Sequence, residues 1–237
     1  MIIQAPILIT GIPRSGASIV AAIVNYCGAF GGVMAKPNQS PNRGMFENVR
    51  IKETVVKKYL TDIGVDASGQ YPLPHTKYLT IPTDWKNRVE ECIVEEGYKG
   101  GAWMYKDSRS SLLWPIWHFA YPDAKWVIVR RRTADIVQSC IKTGFMKKFK
   151  EQKYQMAVEA KNEAEGWLWM IHQYENKFVE MITEGLNCKV IWPERMARGD
   201  YRQLYELCEW VGVPWNVEAL GLINPMFLKV IAKRKEG

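Results

Sequence analysis

The stretch Ile7-Leu8-Ile9-Thr10-Gly11-Ile12-Pro13-Arg14-Ser15-Gly16-Ala17-Ser18 decides how this 237-residue chain is read. Residues 7–10 are an apolar, partly β-branched run, the pattern of a buried strand. The run enters a turn with glycines at positions 11 and 16, then the apolar residues 19–24, which continue as a helix closed near Gly28. Strand, glycine-bearing turn and helix N-terminus together form an anion trap. The first helical turn leaves backbone N–H groups without intrahelical partners, and the macrodipole places partial positive charge there. Gly11 and Gly16 permit the turn and the close approach of a phosphate, and Arg14 adds a full charge that can fork onto its oxygens.

The spacing is that of a Walker A loop, G-x-x-x-x-G-K-S/T, with one change. Gly11 and Gly16 are correctly separated and Ser18 holds the hydroxyl position, but Ala17 stands where the lysine belongs. An ordinary P-loop sets that lysine on the β- and γ-phosphates and the hydroxyl on Mg²⁺. Here the cation has moved forward into the turn, to Arg14.

Working outward, the length fits one α/β domain over 1–237, and 47% hydrophobic residues with ten Trp supply a core for it. A net charge of +7 invites an acidic partner. Clusters such as Lys147-Lys148 with Lys150, and Lys233-Arg234-Lys235, read as solvated faces, and no nucleic-acid motif or interleaved aromatic-basic stripe accompanies them. The five cysteines (27, 92, 140, 188, 208) are widely spaced and contain no C-x-x-C, which argues for reduced thiols and against a zinc site. No basic n-region precedes the first strand, so a cytoplasmic protein without a signal peptide is expected. Residues 19–34 are apolar but too short, and too broken by Asn25 and three glycines, to span a membrane.

Three further strands are expected, at residues 102–105, 126–129 and 188–192. Helices are expected over 49–63, from Asp84 to about 96, over 111–120, from Thr133 or Asp135 to 141, over 155–184, and over 201–211 with a stop at Gly212. Residues 45–47 read as a short extended piece. Residues 64–82, with Gly69, Pro72 and Pro74, read as a long loop of the kind that forms lids and binding walls. Strands alternating with helices predict a three-layer α/β fold, a central parallel sheet covered on both faces, with P-loop NTPase-like architecture. His118 and His172, within helical apolar patterns, read as structural residues.

Ligands of such sheets bind beyond the carboxyl ends of the strands. That rule gathers the Arg14 turn, residues 106–109 and the run Arg130-Arg131-Arg132 along one edge. Two separated cationic clusters at one crevice suit a ligand with two phosphate-like ends. Asp135 and Ser139 share a helix face with Arg131 at its start, so Arg131 and Ser139 can reach one anion together.

Pro13-Arg14-Ser15-Gly16-Ala17-Ser18 resembles the 5′-phosphosulfate-binding loop of sulfotransferases, usually P-K/R-S-G-T/S-T/S, with Ala17 in place of one hydroxyl. Arg131, Asp135 and Ser139 match that family's 3′-phosphate motif, R-x-x-x-D-x-x-x-S. Residues 190–196 resemble its R-Y-E-D-L segment, and residues 204–214 its L-x-x-I/L-x-x-F/W-L/V-G-L/V-P helix end. These anchors follow the family's order from residue 7 to about 215. The family's later basic glycine loop has only Arg234 to Gly237 as a candidate.

The resemblance implies sulfuryl transfer from 3′-phosphoadenosine-5′-phosphosulfate to an unidentified acceptor hydroxyl or amine, without a metal. It implies that Pro13 to Ser18 hold the 5′-phosphosulfate and that Arg131 and Ser139 hold the 3′-phosphate. Arg14 would stabilise the leaving phosphate, and Lys106 would assist at the bridging oxygen. For the base there are two candidates. Glu47 lies in a segment that resembles the family's N-x-x-G-x-F/W-E pattern, and His75 competes because cytosolic relatives use His, although their His follows the lysine by two, where Ser108 stands here. Two rivals from other classes are a metal-dependent P-loop kinase or NTPase, with Asp107 on Mg²⁺, and a non-catalytic polyanion or nucleic-acid binder.

Overall fold

In a computed structural model, described for residues 2–34, 45–144 and 146–223, four strands form one sheet. They are β1 (Ile7–Gly11), β2 (Met104–Lys106), β3 (Lys125–Val129) and β4 (Cys188–Ile191), in the order β2-β1-β3-β4. All three pairings are parallel, with Ile9 opposite Lys106 on one side and Val127 on the other. The expected central parallel sheet is therefore present.

Alternation along the strands divides the core into two. Ile7 and Ile9 of β1 face the same side as Val127 and Val129 of β3, where they pack on α1 (Ala17–Tyr26). Leu8, Trp126 and Ile128 face the other side, an aromatic-rich core that includes Trp85, Trp103, Trp117 and Trp167. That second layer is built from α2 (Lys57–Asp62), α3 (Trp85–Glu95), α4 (Trp114–Ala120), α5 (Thr133–Lys142) and α7 (Glu163–Thr183). On the first face, α9 (Arg202–Val211) covers the β3–β4 side through Leu204, Leu207 and Cys208. Helices cover both faces of the central strands β1 and β3, which are apolar on both, whereas the edge strand β4 leaves Val190 exposed.

Several expected elements differ. The run expected as one helix over 155–184 is two, α6 (Gln152–Ala157) and α7, separated at Glu159, whose φ is 57°. Asn162 then restarts the chain by accepting the Glu165 N–H at 3.0 Å, a cap that apolar periodicity does not reveal. The helix expected over 49–63 opens as a π-helix (Ile51–Val56) before α2. The helix expected over 111–120 opens as a 3₁₀ turn (Ser108–Ser111), with Pro115 at the start of α4. Residues 45–47 form no strand, although Asn48 bridges to Met34. A short helix, α8 (Pro193–Ala197), was not expected. His172 is exposed, and His118 keeps a buried Nδ1 without a hydrogen-bond partner among the described residues, so neither is a satisfied core histidine there. The Lys233-Arg234-Lys235 cluster, the candidate loop at Arg234 to Gly237 and the residues before Met45 in the Glu47 motif lie outside the described residues.

Candidate active site

The turn after β1 is held from below. Ser15 N–H donates to the Ile12 carbonyl at 2.9 Å, and Gly16, at φ 97°, precedes α1. Arg14 also lies in the left-handed region, at φ 76°, a conformation that costs a non-glycine residue about 1–2 kcal/mol. Such a residue persists where its surroundings over-determine it, commonly at a functional site. Among the described residues Arg14 is held by a group just after β3 and by one on α5. The Arg14 carbonyl accepts from Arg131 Nη1 at 3.2 Å, and Arg14 Nε donates to Ser139 Oγ at 2.8 Å. Both glycines are sterically required. A Cβ on Gly11 would stand 2.5 Å from Ser15 Oγ and from the Val129 carbonyl, and one on Gly16 would press on Pro193 of α8 at 3.1 Å.

The three consecutive arginines separate into three jobs. Arg130 pairs with Glu175 of α7 (Nη2 to Oε2, 2.6 Å) and lies over the Trp192 ring. Arg132 pairs with Asp135 at 2.8 Å, and its backbone N–H donates to Glu194 at 2.8 Å. Asp135 therefore anchors Arg132, where the sequence spacing had aligned it with Arg131 and Ser139. Arg131 is buried, and among the described residues no carboxylate lies within ion-pair distance of it. Its Nε has no hydrogen-bond partner among the described residues. Burial lowers its pKa, against the partial support of Asp135 and Glu194. A desolvated guanidinium with an open donor has the chemistry to take an anion.

The third group stands beside the exit of β1. Asp107 N–H continues the sheet onto the Ile9 carbonyl at 3.0 Å, and Thr10 Oγ1 donates to the Ser108 carbonyl at 3.2 Å. Lys106, buried at the end of β2, donates to Glu47 Oε1 at 2.9 Å. The other Glu47 oxygen faces Arg109 at 3.5 Å and Lys52 of the π-helix at 3.7 Å. Ser18, in the first turn of α1, donates to the Met45 carbonyl at 3.3 Å and so holds the Glu47 segment against the anion turn.

Asp107 is only 1% exposed, and both its oxygens are engaged: Oδ1 by Arg109 N and Nε at 2.9 and 2.7 Å, Oδ2 by the Tyr105 hydroxyl at 2.6 Å. Burial opposes its charge, but the Arg109 guanidinium and these hydrogen bonds hold its carboxyl below the usual range. A carboxylate so committed is poorly placed to serve as a Mg²⁺ ligand.

No protein-family model and no curated protein matches the sequence. Solved structures do match. The sulfotransferase STF9 from Mycobacterium avium aligns with 100% of this chain and 70% of its own, at 11% identity and a TM-score of 0.52. The sulfotransferase domain from the curacin biosynthetic pathway aligns over 94% of this chain and 79% of its own, at 13% identity and a TM-score of 0.54. A sulfotransferase from Alicyclobacillus acidocaldarius aligns over 97% of this chain and 90% of its own, at 14% identity and a TM-score of 0.53. The fold is that of the sulfotransferases.

Within this sulfotransferase fold, β1 and β3 are neighbours whose following helices leave on opposite faces of the sheet, the topological switch point where α/β sheets bind ligands. Arg14, Arg131 and Ser139 meet there, and Glu47 and Lys106 stand together one strand away. His75 is elsewhere. It is exposed, its Nδ1 accepts from the Lys77 N–H, and its neighbour Thr76 bonds Glu180 near the end of α7, which leads to the amino edge of the sheet. Sequence reasoning gathered residues 106–109 at this edge without pairing Arg109 with Glu47, and it missed Lys52 beside Glu47 and Pro193 beneath Gly16. Among these, Arg109 left a signal, since it follows Lys106 by three at a strand exit.

Proposed function

We propose that the chain moves a sulfuryl group from 3′-phosphoadenosine-5′-phosphosulfate to an acceptor hydroxyl or amine, releasing 3′-phosphoadenosine-5′-phosphate. The observation that carries this reading is the junction of Arg14, Ser139 and Arg131 at the β1/β3 switch point, with Arg131 buried and, among the described residues, outside any ion pair and with an open Nε. The residues present fit such a nucleotide. The 5′ end meets the helix N-terminus at Ala17 and Ser18, the turn Pro13-Arg14-Ser15-Gly16, and the Ser15 hydroxyl, which has no partner among the described residues. The 3′-phosphate falls to Arg131 and Ser139.

In this reading Glu47 accepts the acceptor's proton as the new O–S or N–S bond forms. The S–O bond to the 5′-phosphate breaks, and its electron pair leaves with the phosphate. Arg14 and the turn N–H groups stabilise the charge developing there. Lys106 turns from Glu47 to the bridging oxygen. A sulfuryl group carries less negative charge than a phosphoryl group, so the step needs less neutralisation than phosphoryl transfer, in keeping with alanine at the P-loop lysine position.

Calorimetry with 3′-phosphoadenosine-5′-phosphate, with and without Mg²⁺, tests the reading. Micromolar, Mg²⁺-independent binding is expected. Tight ATP·Mg²⁺ binding with no affinity for the 3′-phosphorylated nucleotide would favour the kinase instead.

A further inference from the structure

We propose that Arg109 is the positioning residue for Glu47, fixing one carboxylate oxygen so that the other is free for the proton being transferred. The proposal rests on the assignment of Glu47 as the base. Arg109 is 7% exposed, and its guanidinium is held by three different elements. Nε donates to Asp107 Oδ1 at 2.7 Å, Nη1 to the Ala67 carbonyl at 3.0 Å, and Nη2 stands 3.5 Å from Glu47 Oε2. A planar fork tied at two corners cannot turn about its own axis, so its third corner is fixed in space.

The anchor beneath it is equally rigid. Asp107 also accepts from Tyr105 and from the Arg109 backbone, and its own N–H belongs to the sheet. The other charges facing Glu47 are less constrained. Lys106 meets Oε1 from a flexible stem, and Lys52 shares its ammonium between Glu47 at 3.7 Å and Glu53 at 3.3 Å. When Lys106 moves to the bridging oxygen, Oε1 is released while Oε2 stays on Arg109. The fold thereby gives the two oxygens of one carboxylate different duties.

The same guanidinium sets the neighbouring loop. A Cβ on Gly69 would lie 3.0 Å from Arg109 Cγ and 2.6 Å from the Tyr174 hydroxyl, which itself donates to the Gly69 carbonyl. Base and loop are thus indexed to a single side chain.

The test uses the whole protein and hydrolysis of 3′-phosphoadenosine-5′-phosphosulfate, water being the acceptor, measured as release of radiolabelled sulfate. Arg109→Lys keeps the charge and loses the fork. It is expected to lower kcat at least tenfold, with donor KM and calorimetric affinity for 3′-phosphoadenosine-5′-phosphate changed less than twofold. Added to Glu47→Gln, it should cost less than a further twofold. Glu47→Asp keeps the charge that faces Lys106 and Arg109, draws the carboxylate away from Arg109 and should lose turnover to a similar extent. Wild-type turnover in Arg109→Lys or in Glu47→Asp overturns the positioning role, as does a tenfold loss repeated on Glu47→Gln. Retained turnover in Glu47→Gln overturns the base assignment and the positioning role together; a loss there with Arg109→Lys unaffected overturns the positioning role alone.

Discussion

Arg14 and Ser139 are 125 residues apart in sequence, and 2.8 Å separates Arg14 Nε from Ser139 Oγ. The anion turn after β1 and the helix after β3 are therefore one structure. Substitution of Arg14 or Arg131 by Ala should each weaken binding of 3′-phosphoadenosine-5′-phosphate at least tenfold, about 1.4 kcal/mol, in calorimetry. Unchanged affinity in both variants would remove the nucleotide from this junction.

Gly11→Ala places a methyl group 2.5 Å from Ser15 Oγ and the Val129 carbonyl, so either the turn or β3 must yield. Overpacking of this kind costs about 1–3 kcal/mol. Denaturant unfolding should show a loss in that range, and the same variant should lose nucleotide affinity because the turn is displaced.

Glu47→Gln preserves shape and removes the proton acceptor. Turnover should fall on the order of 100-fold or more, with nucleotide affinity retained. His75→Gln should leave both unchanged, because its ring sits on an exposed turn beside Tyr78. Loss of turnover in His75→Gln alone would return the base to that histidine.

Asp107→Asn removes the nearer counter-charge of the buried Arg109 and leaves it only Glu47 at 3.5 Å, and breaking such a buried pair costs up to about 3–5 kcal/mol. Because the carboxyl is held below its ordinary value near 3.8, its contribution to stability is present above that pH and is lost as pH falls through the lowered folded value. Urea unfolding should therefore show a wide gap between wild type and Asp107→Asn at pH 7, narrowing below about pH 4. A gap independent of pH would mean that packing, not charge, is what Asp107 supplies.

The four strands were legible because each is a mainly apolar run bounded by turn residues, and the two central ones, β1 and β3, are apolar on both faces. The turn at 11–16 was legible for a similar reason: glycine, arginine and serine occur there in an order that local geometry alone explains. What one-dimensional spacing could not reveal was partner choice. Asp135, Arg131 and Ser139 recur every four residues, yet the Asp135 carboxylate closes on Arg132, three residues before it, and leaves Arg131 to the Arg14 carbonyl. The cluster around Glu47 was half visible. Glu47 and Lys106 stood in motif-like surroundings, whereas Lys52 reaches the same carboxylate from a π-helix, whose register no α-helical periodicity encodes. The break between α6 and α7 was hidden because apolar residues continue on both sides of Glu159.

The helices that follow β1 and β3 belong to different hydrophobic masses, α1 to one side of the sheet and α5 to the other. In the proposed reading, a nucleotide held by the Arg14 turn and by Ser139 would act as a rivet through the sheet's edge, adding to the direct links, such as Arg132 N–H to Glu194, that already join the two sides. Its protection against unfolding should extend to amide protons on both faces, far outside the ring of atoms that touch it.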